Sequence, residues 1–479
     1  MKLHQKLQIK EPLTLHESRP ALRGSPSRMS KGHSGIKNLS KLLFCAFFLF
    51  AQNAFATSLI RDAETEKFLH QLADPIFVAA GLNPKNINIY IVNDSSINAF
   101  VSGGQNVFIN TGLIRKYKTP DALIGVLAHE TGHIVGGHLA RSSEGAAEAE
   151  GAMLLSYLLG IGAIAAGAPD AGTAILMGGN QTAQRIYLKF TRNQEEAADQ
   201  YAIEFLDKMR YPANGLIELL SFFKSEMSPY KNQIDEYLLS HPVSQKRIDV
   251  IKARTADKNF SNKEINQKLQ TAMNRVLIKL EAFIDNPDAL LQKYQNQNSL
   301  EANYIKSVAL FKKGKVDESL SLLDPIISKN PRDGFLFELK GQILFESGRI
   351  QDSIIAYNQA VKLLPENDNA VIKVALGLAI LSLKTDDKDL MKLAIKHLED
   401  AKKYEKENPL LFKQLANGYS RIGDEGRSLL ALAEFNFLIS DNKKCQKYAR
   451  DAKEKLKKSD KAELLRADDL LELAKKNKE

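Results

Sequence analysis

The sequence predicts a mainly α protein in two parts, an α+β domain with a small β-sheet followed by an α-solenoid. Three observations predict it. Two short runs, residues 87–92 and 107–109, alternate or cluster apolar side chains as strands do. Helix-like spacing of apolar residues dominates elsewhere. The C-terminal part repeats its turn signals at an interval of 34 residues. With 479 residues the chain is too long for one compact core, so two or three domains are expected.

The first element is a leader. Lys37 and Lys41 precede an apolar run over residues 42–51, and Ala54-Phe55-Ala56 offers a small-residue cleavage site, the pattern of a secretory signal. The run is about ten residues, too short for a bilayer span of about 20. An uncleaved anchor is the competing reading. Met29, followed by Ser30-Lys31, is a more natural start for such a signal and would leave residues 1–28 untranslated. The charge belongs to this leader as well. The chain carries +9 overall, but residues 1–56 hold nine Lys/Arg against two Asp/Glu, and the remainder is nearly balanced. A nucleic-acid-binding surface therefore loses its main support, and no nucleic-acid partner is expected. After cleavage Cys445 is the single cysteine, so no internal disulfide forms and any metal must rest on His and carboxylates. An exported compartment, a bacterial periplasm above all, is expected.

Residues 58–86 read as helical, residues 87–92 as a strand, and residues 107–109 as a second strand after Gly103-Gly104. Thr119-Pro120-Asp121 starts a helix expected to run to about Ala140. Residues 182–210 and 213–226 are two more helices, and the polar stretch 256–298 is a helical linker. Between them residues 151–168 are 18 uncharged, Ala/Gly/Leu-rich positions. They read as a buried or gating helical hairpin, with contact to a membrane or an unfolded client as the second reading and a true span as the third. Beyond residue 298, Lys313-Gly314-Lys315 returns as Ser347-Gly348-Arg349 and Asn330-Pro331 as Leu364-Pro365, each 34 residues on. Asn408-Pro409 and Ile422-Gly423-Asp424 follow after a longer interval that contains Thr385-Asp386-Asp387. A helix-turn-helix period of this length resembles tetratricopeptide repeats, over residues 299–440, with residues 441–479 as a capping helix or tail.

The chemistry centres on His129-Glu130-Thr131-Gly132-His133. Histidines at i and i+4 share one helix face and can reach one zinc ion, while Glu130 stands beside them to accept a proton from water. Apolar flanks at Leu123, Val126, Leu127, Ile134 and Val135 argue for a buried helix over a solvated one with two surface histidines. An extended pattern with a third histidine would need it at 139, where Leu139 stands; His138 is one place early and, on a continuous helix, about 100° away. His138 is therefore read as a helix-surface or packing histidine. The third ligand is sought in Glu195-Glu196-Ala197-Ala198-Asp199, where Glu195 and Asp199 are i and i+4, so that one can bind metal and the other orient a histidine.

HExxH followed by this ExxAD motif resembles the HtpX/CAAX-prenyl-protease class of zinc peptidases. Asn98-Ala99-Phe100, Gly103-Gly104 and Thr111-Gly112-Leu113 are similar to that family's stretch before the zinc helix, and Ser240-His241-Pro242 with Arg247 and Ile248 to its HPxxxxRI element. The resemblance covers roughly residues 60–255, within a domain taken as 57–255, and implies a zincin-like fold. It implies one zinc per chain held by His129, His133 and Glu195, with Asp199 behind them. Glu130 would be general base and then proton donor, and the catalytic set would include His241 and Arg247. His241 would either assist the oxyanion or occupy the fourth site in a latent form. The strand around residues 107–110 would be the edge that pairs with an extended substrate. A leader before such a domain and repeats after it imply an exported zinc endopeptidase, using a zinc-activated water on misassembled outer-membrane proteins. Assembly machinery would be met through the repeats. The alternative is a chaperone or assembly factor with a largely latent metal site. An integral-membrane prenyl protease would need several apolar spans that the sequence lacks.

Overall fold

The computed structural model describes residues 59–165, 169–226, 241–258, 260 and 263–476. The leader, Ser240 and the end of the 151–168 segment lie outside them. The described residues open with strand β1 (Leu59–Ile60) and helix α1 (Ala63–Ala79), capped by the Asp62 carboxylate on the Thr65 amide. Strands β2 (Asn88–Val92), β3 (Ala99–Ser102) and β4 (Asn106–Asn110) then complete a four-stranded sheet of order β1-β2-β4-β3. β2 and β4 run parallel with Ile89 opposite Val107, and β3 returns antiparallel to β4 through Gly103 and Gly104, both at positive φ. Alternation decides the two faces. Ile89, Ile91, Val107 and Ile109 point into the core, while Tyr90, Phe108 and Phe100 stack on the other face at ring separations of 5.0 and 4.9 Å. The expected edge strand over residues 107–110 is corrected by this order. β4 lies inside the sheet, and the edge on its side is Ala99–Ser102, a segment too short and too polar at its end to show as a strand in the sequence.

After α2 (Thr111–Lys116), helix α3 (Pro120–Val135) is buried from Ala122 through Gly132, apolar nearly all round as a central helix must be. It ends at Val135, short of the Ala140 expected: Gly136 caps it, Gly137 takes φ +61°, and α4 (His138–Ala165) sets off in a new direction. α5 (Pro169–Lys208) returns alongside α4, and α6 (Asn214–Glu226) and α7 (Gln245–Thr255) close the domain over α3 and α5. Residues 151–165 are thus not a hairpin of their own but the end of α4, one arm of the α4–α5 pair, and they are not buried. Leu154, Leu155, Leu158, Leu159 and Met177 are each more than half exposed. Among the described residues no helix is long and apolar enough to cross a membrane.

Helix α8 (Lys263–Ile284) serves both parts of the molecule. Met273, Val276 and Leu280 enter the core of the first domain, and Ala282 and Phe283 enter that of the repeats. α9 (Pro287–Lys293) leads into five helical hairpins: α10 (Leu300–Lys312) with α11 (Val316–Lys329), α12 (Gly334–Glu346) with α13 (Ile350–Leu363), α14 (Ala370–Leu381) with α15 (Lys388–Lys402), α16 (Pro409–Ile422) with α17 (Glu425–Leu438), and α18 (Asn442–Lys455) with α19 (Lys461–Lys476). Gly314, Gly348 and Gly423 supply the left-handed residue between the helices of three hairpins. The third hairpin turns instead through the Thr385-Asp386-Asp387 segment. Residues 441–476, expected as a cap or tail, form the last hairpin, with Cys445 buried in its core and its thiol pushed up to about 11 by burial. The fold is therefore an α+β domain followed by an α-solenoid.

Candidate metal centre

Helix α3 presents His129 and His133 one turn apart, and α5 crosses it closely enough for Glu195 to meet both. The approach depends on two small residues. A Cβ on Gly132 would stand 2.6 Å from the Ala198 carbonyl oxygen, and Ala198 is itself fully buried. With nothing larger at that crossing, Glu195 Oε1 lies 3.2 Å from His133 Nε2 and Oε2 lies 3.3 Å from His129 Nε2, and the two Nε2 atoms are 3.1 Å apart. His241, from the segment before α7, brings Nδ1 to 3.1 Å from Glu195 Oε1 and Nε2 to 3.7 Å from Glu130 Oε1. One ligand atom from each of His129, His133, Glu195 and His241 falls within 4.8 Å of the others. Three imidazoles and a carboxylate crowding one buried point fit a cation: lone pairs converge there, and Glu130 Oε1 is buried with no hydrogen-bond partner.

The charges behind this group are paired. Asp199 Oδ1 stands 3.0 Å from His129 Nδ1, and the Arg247 guanidinium grips the same carboxylate through Nε at 2.7 Å and Nη2 at 2.9 Å. Arg247 also donates to the Pro242 carbonyl at 2.8 Å and approaches Glu195 Oε2 at 3.0 Å, so it ties the ligand helix to the segment carrying His241. Burial raises a carboxylate's pKa, yet His241 and the hydrogen bonds from His129 and His133 hold Glu195 well below its usual range. Asp199 is likewise held down, by Arg247 and His129 against burial. Burial would depress His129, but Asp199 and Glu195 overcome it and hold it up to about 10. Burial pushes His133 down to about 3. Glu130, 1% exposed, is pushed up, chiefly by the same loss of solvent.

His138 takes the packing alternative of the two expected, not the surface one. It is 5% exposed, and its Nδ1 lies 2.9 Å from His133 Nδ1. Its place beside His133 was not foreseen because the sequence reading assumed a continuous helix. The chain breaks at Gly136-Gly137, and that pair, a common helix-ending signal, was the clue available in the sequence. Burial and the nearby Arg141 depress His138.

Residues 61–255 match the model of peptidase family M48. The chain is similar to the beta-barrel assembly-enhancing protease of Yersinia pestis, 27% identical over 336 residues that cover 69% of this chain and 68% of that one. The protein of the same name from Escherichia coli K12 is 23% identical over 329 residues, 67% of this chain and 66% of its own length. A shorter stretch of 76 residues, 16% of this chain and 23% of the relative, is 33% identical to the mitochondrial metalloendopeptidase OMA1 of Schizosaccharomyces pombe. The chain is a metallopeptidase whose residues 61–255 are similar to peptidase family M48 and to the beta-barrel assembly-enhancing proteases.

Proposed function

We propose that the protein is a periplasmic zinc endopeptidase that takes part in the assembly and quality control of outer-membrane proteins. The observation that carries the reading is the buried donor set His129, His133, Glu195 and His241 with Glu130 beside it. His and carboxylate donors in this number suit zinc, and a zinc ion bound there would supply Lewis-acid chemistry, polarising the scissile carbonyl and acidifying the attacking water. Glu130 is the general base in this reading. It takes the water proton as the oxygen adds to the carbonyl carbon, then gives that proton to the amide nitrogen as the C–N bond breaks. Asp199 and Arg247 act through the ligands: Asp199 orients His129, and Arg247 keeps Asp199 charged and in place. The names of the relatives support the outer-membrane role. The hairpins from α10 on read as tetratricopeptide repeats, and a cavity of about 940 Å³ lined in part by Leu320, Phe337, Leu344 and Ile355 suits a client polypeptide.

One observation favours the alternative, an assembly factor whose metal site is mostly latent. His129 is fully buried and Glu130 nearly so, and His241 sits against Glu195 at 3.1 Å where a substrate carbonyl would need room. Zinc content and casein cleavage of the purified protein separate the two readings. The peptidase reading expects one zinc per chain and chelator-sensitive cleavage. Glu130→Gln should keep the zinc and lose about 10²–10⁴-fold in rate. His241→Ala should raise cleavage if His241 holds the site shut. Bound zinc without cleavage in any of the three proteins would favour the alternative, and no zinc at all would end both.

A further inference from the structure

The two ligand histidines each have a second ring nitrogen, and the partners behind them differ. His129 turns Nε2 to Glu195 and Nδ1 to the Asp199 carboxylate. His133 turns Nε2 to Glu195 and Nδ1 to another imidazole, that of His138, at 2.9 Å with the rings 79° apart. We infer that His138 is a positioning residue of the metal site, whose Nδ1 accepts the His133 Nδ1–H and so fixes the tautomer and the rotation of His133. This rests on the reading of His133 as a ligand. A ligand nitrogen must offer a bare lone pair, so Nε2 carries no proton, the ring proton sits on Nδ1, and Nδ1–H needs an acceptor. His138 Nδ1 is within hydrogen-bond distance of it.

The chain is built to bring His138 there. A Cβ at Gly136 would lie 2.3 Å from His138 Nε2, so the ring occupies space that only glycine leaves open. Gly137 adopts φ +61°, which folds residue 138 back over the last turn of α3. The Arg141 guanidinium donates to the Gly136 carbonyl and fastens the turn. The Gln194 amide donates to the His138 carbonyl at 3.2 Å, so the residue next to ligand Glu195 also holds the backbone that carries His138. The acceptor is thus fixed by both helices that supply ligands. An imidazole acceptor is weaker than a carboxylate, which makes His133 the less electron-rich of the two histidine ligands.

The test compares wild type, His138→Ala and His138→Gln as full chains, with zinc affinity read by competition against a chromophoric chelator. The absorption bands of the cobalt(II)-substituted proteins report ligand geometry. His138→Ala should lose about 10–100-fold in zinc affinity and shift the cobalt bands. His138→Gln, whose carboxamide oxygen can accept from Nδ1–H, should recover most of both. Wild-type zinc affinity and an unshifted cobalt spectrum in His138→Ala would overturn the inference and leave the metal site standing. Equal loss in both variants would overturn it in favour of simple packing. If His138→Ala does not fold, histidine nitrogen resonances of zinc-loaded wild type decide: a proton on His133 Nδ1 supports the inference, and one on Nε2 overturns it. A wild type that binds no metal overturns the inference together with the site reading beneath it.

Discussion

At the scale of single residues, the centre is a set of charges that would be costly apart. Asp199 and Arg247 are 2% and 3% exposed, and their two hydrogen bonds have nearly parallel partners on one carboxylate. Removing one partner of such a buried pair strands the other, a cost of about 3–5 kcal/mol. Arg247→Met should therefore lower stability by about that much, measured by urea denaturation of the metal-loaded protein. Adding Asp199→Leu to it should restore part of the stability but not the zinc affinity, because His129 then has no carboxylate behind Nδ1. If the double variant is no more stable than the single one, the pair is not what Arg247 contributes.

At the scale of elements, two glycines on one stretch of chain do different work. Gly132 lets α3 and α5 touch, since a Cβ there would meet backbone 2.6 Å away that no rotamer can relieve. Gly137 meets nothing within 4 Å, but its φ of +61° strains any other residue. Gly132→Ala should cost about 1–3 kcal/mol and, by moving Glu195 away from His129 and His133, should also weaken zinc binding. Gly137→Ala should cost about 1–2 kcal/mol through its backbone alone and should affect zinc binding less. Parallel denaturation and zinc titration of the two variants check this, and equal zinc affinities would show that the helix crossing does not set the ligand geometry. The same contrast explains what was legible in advance. His129, His133 and Glu195 were visible because each sits in a motif whose spacing is local, and the strands at Asn88–Val92 and Asn106–Asn110 because alternation is local too. Ala99–Ser102 was not visible as the sheet edge, since strand order depends on pairing between distant residues. His138 was left between a surface and a packing place because the helix was read as continuous past Gly136-Gly137, and the exposure of Leu154 and Leu158 could not follow from an apolar run that reads alike whether covered or bare.

At the scale of the whole molecule, the first residues of the described chain hold its two parts together through charge. Arg61 pairs with Glu66 at 2.8 Å and with Glu405 of the repeats at 2.7 Å, and Lys67 reaches Asp368 at 2.6 Å. Deeper in, the Lys279 ammonium on α8 lies 2.5 Å from Asp62, 3.6 Å from Glu64 and 3.5 Å from Glu338 on α12, with Arg275 linking Glu64 to Asp333 beside it. Three carboxylates share one buried lysine, and two of them, Glu338 and Asp62, are shifted in opposite directions. Burial, with Asp62 and Glu64 adding to it and Lys279 opposing, pushes Glu338 up to about 7. Burial would raise Asp62 as well, but Lys279 outweighs it and Asp62 is held down. A carboxyl raised on folding contributes stability that is full below its ordinary pKa and lost as pH climbs through the folded value, here about 7. A carboxyl lowered on folding does the reverse and loses its contribution on acidification. The junction should therefore hold best in mildly acid solution and loosen as pH passes about 7, with Lys279 keeping its charge throughout that range. Glu338→Gln imitates the protonated form and removes the titration. Thermal unfolding at about pH 5.5 and about pH 8 should show wild type losing stability toward the higher pH and the variant losing less, so that the variant overtakes wild type there. Limited proteolysis between α8 and α12 should follow the same order. Identical pH slopes in the two proteins would mean that Glu338 is already ionised in the folded molecule, held charged by Lys279.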